Sequence, residues 1–252
     1  MVAARTDVPA RLSTGPACGA LLRFAYPVAV SELTFLRAGH VPYDVAWAWQ
    51  RELLTRRADG EIGDVCVLLE HDPVYTAGKR TTPFERPFDG TPVVDVDRGG
   101  KITWHGPGQL TGYPILSLQP AVDVVKYVRR LEHALIAVCA DFGIEATPVE
   151  GRSGVWIGGP AGAKVGAIGV RVVRGVTMHG FGLNCDADLT AFDRIVPCGI
   201  SDAGVTSLSV VAGRRITIDD VIPHVERRLA EMFGKSPVAG DPADFGLVGA
   251  DA

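Results

Sequence analysis

An α/β (α+β) domain, a mixed sheet flanked by helices, is what this sequence predicts, and three stretches carry the prediction. Residues 64–70 (DVCVLLE) are a short apolar run of strand length. In residues 124–142, Val128, Leu131, Leu135, Val138 and Phe142 recur at steps of three and four, the spacing of one helix face. Residues 167–174 and 176–184 are β-rich runs that meet at Arg174-Gly175, a pair suited to a tight turn. Strands, a hairpin and helices mixed along the chain favour a mixed sheet with helices packed on it and leave strand order open.

In chain order, the first ~20 residues are rich in Ala, Pro, Thr and Arg with little periodicity and read as a weakly ordered N-terminal tail, residues 1–20. Residues 43–57 hold good helix formers without Gly or Pro and stop at Asp59-Gly60. The run 64–70 ends at His71-Asp72-Pro73, so it reads as a buried strand that delivers a loop. Asp123 can cap the periodic helix, and Gly143 lies just past its end. Thr217 can cap a last helix to Phe233, with Asp219 and Asp220 at its positive end and Pro223 expected to bend it or delay its start. Pro237, Gly240, Pro242, Gly246 and Gly249 mark residues 236–252 as a second weakly ordered tail, leaving residues 21–235 as the working domain.

The bulk numbers narrow the class of function. At 252 residues with 47% hydrophobic side chains, one sizeable core is within reach of a single domain. With 25 basic and 29 acidic side chains the formal charge is −4, which gives no electrostatic footprint for nucleic acid or an anionic membrane as main partner. No apolar run approaches the roughly 20 residues that span a bilayer and no secretory series is visible, so the expected location is cytoplasmic. Cys18, Cys66, Cys139, Cys185 and Cys198 are an odd set without a C-x-x-C pair, which argues against a disulfide framework or a zinc site.

Residues 98–109 are the densest irregular segment. Gly99, Gly100, Gly106 and Gly108 permit close backbone approach, while Arg98, Thr103, His105 and Gln109 add polar density. The segment reads evenly as a pocket wall or an ordinary glycine-rich loop. It is neither a P-loop nor a G-x-G-x-x-G fingerprint.

Among the thiols, Cys66 falls in the apolar run and Cys139 on the periodic helix, both places for a small buried hydrophobe. Cys18 sits in the first tail, and Cys185 at a strand end is the rival nucleophile. Cys198, in Ile-Val-Pro-Cys-Gly-Ile, is set in a turn by Pro197 and Gly199, and turns expose side chains. Lys164 stands alone among small and apolar residues at the mouth of the hairpin. A lone lysine there is ordinarily a solvated strand end; beside a thiol it would favour the thiolate and carry protons. His105 and His179 are the alternative bases and are assigned to binding or support.

Five motifs together, R-G-G-x-x-T-W-H-G-P-G-Q at 98–109, G-R-S-G-V-W at 151–156, A-K-V-G-A-I-G-V at 163–170, H-G-F-G-L-N at 179–184 and P-C-G-I at 197–200, resemble the lipoyl(octanoyl) transferases of lipoate biosynthesis over about residues 35–235. The resemblance implies a ping-pong reaction in which octanoyl passes from octanoyl-acyl carrier protein to a cysteine and then to one lysine of an apo lipoyl domain, as in 2-oxoacid dehydrogenase complexes and the glycine cleavage system. It implies Cys198 as acyl acceptor and Lys164 as its partner. It also implies an acyl site lined by Arg98, Gly99, Gly100, Lys101, Ile102, Thr103, Trp104, His105, Ala167, Ile168, Gly169, Gly180, Phe181 and Gly182.

The implied fold is the catalytic domain shared with biotin and lipoate protein ligases, and no cofactor or metal is implied, since a thioester donor needs no ATP. Arg129, Arg130, Arg152 and Arg171 are the basic residues expected to dock acidic carriers. An ATP-dependent ligase, a cysteine hydrolase and a non-catalytic acyl-binding module are the competing readings. They differ in whether free octanoate and ATP suffice, whether water takes the acyl group, and whether Cys198 is dispensable.

Overall fold

The computed structural model describes residues 31–87, 90–195 and 203–247. It begins with β1 (Glu32–His40) and α1 (Tyr43–Asp59). The helix stops because Gly60 turns left-handed, at φ 79°, a conformation that a side chain disfavours. Next come β2 (Asp64–Glu70), β3 (Val74–Ala77), β4 (Val93–Asp95), β5 (Thr103–His105) and β6 (Gln109–Ile115). The periodic segment forms α2 (Val124–Asp141), started by the Asp123 carboxylate, which accepts from Lys126 N–H at 2.9 Å.

After α2 the chain lays down β7 (Thr147–Val149), β8 (Arg152–Ile157), β9 (Ala163–Val173) and β10 (Val176–Asn184). Arg174 and Gly175 both hold positive φ, 53° and 79°, the requirement of the two-residue turn that matches strand twist. The last elements are β11 (Gly204–Val205), α3 (Leu208–Ala212), α4 (Ile218–Phe233) and β12 (Ser236–Gly240). The helix α4 does not wait for Pro223. Thr217, six residues before it, and Asp220 form a reciprocal capping box, which offsets the hydrogen bond that proline cannot donate.

Among the described residues, nine strands form one mixed sheet in the order β12-β1-β2-β6-β10-β9-β8-β7, with β11 added beside β9; β4-β3-β5 make a second, small sheet. Central β2 is apolar throughout because both its faces are covered. Cys66 and Leu68 join the core under α2 and α4, whereas Val65, Val67 and Leu69 join the core under α1. A third cluster, including Ile102, Trp104 and Phe192, lies behind the small sheet.

The expected tail from residue 236 is corrected here. Residues 236–240 form a parallel edge strand on β1, and Leu247, 3% exposed, packs in the core under α1. Proline is tolerated at a sheet edge, where its missing N–H breaks no central ladder, so Pro237 did not exclude a strand. The expected N-terminal tail, residues 1–20, lies outside the described residues.

Ending the chain at Lys235 removes β12 and the Leu247 anchor. The expected cost is at least about 2 kcal/mol, since burying one such side chain contributes ~1.5–3 kcal/mol. Urea unfolding checks this, and an unchanged midpoint would contradict it.

Candidate active site

The glycine-rich loop after β4 is shaped by one guanidinium. Arg98, 7% exposed, donates to the Gly99 and Lys101 carbonyls at 3.1 and 2.8 Å, and to Thr76 O and Oγ1 at 2.8 and 2.9 Å. It thereby fastens the loop to β3. Gly99 N–H donates to Val170 O at 3.0 Å and ties the same loop to β9. Gly169 matters here because a Cβ on it would sit 2.9 Å from Arg98 Cδ.

Between this loop, β5, β9 and β10 opens a cavity of about 190 Å³. Of the expected site residues, Arg98, Gly100, Lys101, Thr103, His105, Lys164, Ala167, Ile168, Gly169, Gly180, Phe181 and Gly182 line it. Ile102 and Trp104 do not. They alternate with Thr103 and His105 and point into the third core cluster, and Gly99 lies behind the wall against β9. Cys198 lies outside the described residues. Tyr43, Arg80, Tyr113, Arg152 and His179 also line the cavity; the tyrosines carried no motif signal. A larger groove of about 530 Å³ on the Trp104 side is lined by neither lysine nor cysteine.

Lys164 reaches the cavity through an irregularity. Val155 pairs with Gly166 and Trp156 with Lys164, so Val165 is an extra residue on β9, a β-bulge. Strict alternation would put residues 164 and 167 on opposite faces; the bulge brings both to the same cavity. Where β10 leaves β9, β11 takes its place, pairing Val205 with Lys164, and Thr206 N–H donates to Lys164 O at 3.0 Å. The lysine is 7% exposed and its ammonium stands over the Trp156 ring at 4.6 Å. The solvated strand end is thus excluded.

Behind the wall runs a chain of buried polar groups. Gln109 donates to Trp104 O and to Asn184 Oδ1, at 3.2 and 2.8 Å, which turns its own oxygen to His105 Nδ1 at 2.7 Å. Asn184 in turn donates to Thr206 O at 2.9 Å. His105 therefore carries its proton on Nδ1, leaving Nε2 an acceptor. His71 donates from Nδ1 to Val41 O at 2.6 Å and accepts from the Tyr113 hydroxyl at 2.7 Å.

Burial pulls the His105 imidazole down to about 3, helped by the neighbouring His71 and by Arg98, and pulls His71 down to about 4. His179 is drawn down to about 3, first by burial and then by Arg98 and Arg171; its Nε2 meets Asp97 at 2.7 Å. It also holds φ 57° within β10, a strained setting for a non-glycine residue, with its N–H fixed on Gln50 Oε1 at 2.8 Å. Tyr43 is pushed up to about 12 by burial. At neutral pH the wall thus offers neutral imidazoles and phenols.

Charge in the lining is of one sign. Among the described residues Arg80, Arg98, Lys101, Arg152 and Lys164 line the cavity and no Asp or Glu does, so the site favours an anion such as a thiolate or an oxyanion. Of the arginines expected to dock carriers, Arg152 is at this mouth, Arg171 is paired with Asp97, Arg129 with Glu132, and Arg130 stacks over Phe233 at 5.9 Å.

The described thiols are unsuited to catalysis. Cys66, Cys139 and Cys185 are each fully buried, and burial pushes all three up, Cys139 to about 12. Cys185, the rival nucleophile, is a core residue. Among the described residues no group of three or more His, Cys, Asp or Glu could hold a metal ion, and no helix is long and apolar enough to cross a membrane.

His71 and His105 bind protons far more weakly folded than unfolded. The unfolded chain therefore takes up protons first as pH falls, and stability present above the ordinary histidine value near 6.5 is lost from there down to about pH 4. Thermal unfolding between pH 7 and 4.5 is expected to show a falling Tm, with a shallower slope in His71→Gln. Parallel slopes would remove His71 from this role.

Comparison with known proteins agrees with the geometry. Residues 42–230 match the lipoyl protein ligase A/B catalytic domain. An octanoyltransferase of Salinispora tropica is 64% identical over 80% of this chain and 96% of its own length. An octanoyltransferase of Mycobacterium tuberculosis is 62% identical over 83% of this chain and 91% of its own. In fold, the chain is similar to the bipartite lipoate protein ligase of Thermoplasma acidophilum, with TM-score 0.65 at 14% identity over 84% of this chain and 87% of that one. It is also similar to a lipoate-protein ligase A bound with ATP, with TM-score 0.60 at 13% identity over 84% and 89%. The expected likeness to lipoate ligases is therefore met in the fold, and the sequence matches show that this chain belongs to the octanoyltransferase family, acyltransferases built on the lipoyl protein ligase A/B catalytic domain.

Proposed function

We propose that this chain moves an octanoyl group from octanoyl-acyl carrier protein to Cys198 as a thioester, and from there to one lysine of an apo lipoyl domain as an amide, in the cytoplasm. The observation that carries the reading is Lys164, a buried lysine in a cavity that no carboxylate among the described residues lines, with an apolar wall of Ala167, Ile168 and Phe181. Such a cavity suits an unbranched acyl chain with a reacting carbonyl near the lysine.

Chain length favours Cys198 as the nucleophile. It follows Ile195 by three residues, within about 11 Å of extended backbone. Ile195 packs in one cluster with Phe192, and Phe192 shares with Lys164 and Val205 the lining of a small void. Six residues after Cys198, Gly204 pairs with Ala163, the neighbour of Lys164. Of the other cysteines, three are buried in the core.

In the first half-reaction the Cys198 thiolate attacks the donor carbonyl, the cationic lining stabilises the oxyanion, and the carrier's sulfur leaves with a proton from the Lys164 ammonium. In the second, the acceptor amine attacks the Cys198 thioester. Its extra proton passes to the now neutral Lys164, and the Cys198 thiolate leaves. Proton and thiolate are restored together. No ATP is consumed, because the acyl group arrives as a thioester.

Octanoyl-acyl carrier protein alone is expected to add one octanoyl mass at Cys198, and this species to pass the group to apo lipoyl domain without ATP; peptide mapping by mass spectrometry reads both steps. Acylation at another residue, or product only from free octanoate with ATP, would sink the reading. Lys164→Ala is expected to slow acylation at least about tenfold, the usual scale of proton-transfer catalysis being larger still. It should also move the iodoacetamide titration of Cys198 to higher pH.

A further inference from the structure

One buried charge has no part in the chemistry so far. Glu132, in the middle of α2, has a side chain with 0% exposure amid the apolar face that carries Leu131, Ala134 and Leu135. Carboxylates are almost never buried so completely without partners that need them. Glu132 has two: Arg129 Nη1 at 2.5 Å, from a side chain 40% exposed, and the backbone N–H of Gly154, which donates to Oε1 at 3.0 Å.

Gly154 lies in the motif G-R-S-G-V-W, immediately before the bulged stretch of the β8–β9 ladder. Its φ of +120° is a conformation side chains rarely adopt, and a Cβ on it would stand 2.5 Å from Gly166 O and 3.2 Å from Lys164 Cε. Gly154 is therefore the surface on which the lysine stem rests, as Trp156, two residues on, is the surface under its ammonium. A four-carbon stem has many rotamers, and a fixed one needs a fixed bed.

We propose that Glu132 is a positioning residue for Lys164, acting through the Gly154 N–H that it holds against the lysine stem. This rests on the proton-carrying role of Lys164 given above. The carboxylate anchors the glycine from the helix side, the glycine sets the height of the stem, and Trp156 sets where the ammonium stops. The glycine and tryptophan of the motif thereby acquire a function as the seat of the lysine.

The test is a double-mutant cycle on the full chain, reading octanoyl transfer from octanoyl-acyl carrier protein to apo lipoyl domain, with Tm as the measure of folding. Glu132→Leu is expected to lower kcat about tenfold with KM within about twofold, since small misplacements of a reacting group have effects of that order or larger. Glu132→Gln, which keeps an acceptor oxygen for Gly154, should stay within about threefold of the parent. Placed on Lys164→Ala, Glu132→Leu should change kcat less than about twofold.

Equal losses in both backgrounds, a loss carried by KM, or no loss in a folded Glu132→Leu chain overturn the proposal while leaving Lys164 in its role. A Lys164→Ala chain as fast as the parent overturns both. Should Glu132→Leu fail to fold, Glu132→Asp, which keeps the charge but withdraws it from Gly154, is read in the same cycle against the same outcomes.

Discussion

The β9–β10 hairpin is the constraint to which the rest of the site answers. Its two-residue turn fixes the pairing of Gly169 with Gly180 and of Ala167 with Gly182, and these residues form one wall of the cavity. A slip of one residue would turn every side chain of a strand to the other face, so the register decides which residues meet the ligand and which enter the core. The other components are fitted to that wall. The Arg98 loop is hung on Val170, Gln109 lies against Gly182, and β11 continues the ladder beyond Leu183.

The polar groups behind the cavity follow one economy. From His105 through Gln109 and Asn184 to the Thr206 carbonyl the groups are joined by hydrogen bonds in one continuous run, which holds them in one orientation with no net charge. The imidazoles stay neutral, whereas the charges that remain in the lining are cationic. Anionic sulfur or oxygen is thereby preferred over carboxylic acid chemistry at the same place. The run ends at Thr206, directly after β11, and Thr206 N–H donates to Lys164 O, so the wall is tied to the strand that carries the lysine.

Much of the fold was legible because its ends are chemically marked. Gly60, Asp123, Thr217 and Arg174-Gly175 each do locally what their residue type predicts. The C-terminal strand was not legible, since proline and glycine read as breakers, and only the free edge of β1 makes them tolerable. In the site, a continuous run from Arg98 to His105 was expected in the lining, yet strand alternation sends Ile102 and Trp104 away; a period of two applied to residues 101–105 would have found this. Cys185 could not be set aside on sequence, because a strand end does not reveal burial. The burial of Lys164 and the part played by Glu132 were hidden for the same reason. One depends on a bulge and the other on a contact between residues 22 apart, and neither leaves a periodic trace.

The bulge at Val165 also bears on how this chain tolerates changes in length. Ahead of it, residues 158–161 lie in the surface turn joining β8 to β9, outside the pairing of β9 with β10, so a change in length there is expected to leave that pairing in place. At Val165 itself, dropping one residue would restore regular alternation and carry Lys164 to the opposite face. A deletion there would remove the lysine from the cavity while leaving it in the sequence. Within a few residues, the chain therefore passes from a turn where a change in length is expected to be tolerated to a strand position where it is not.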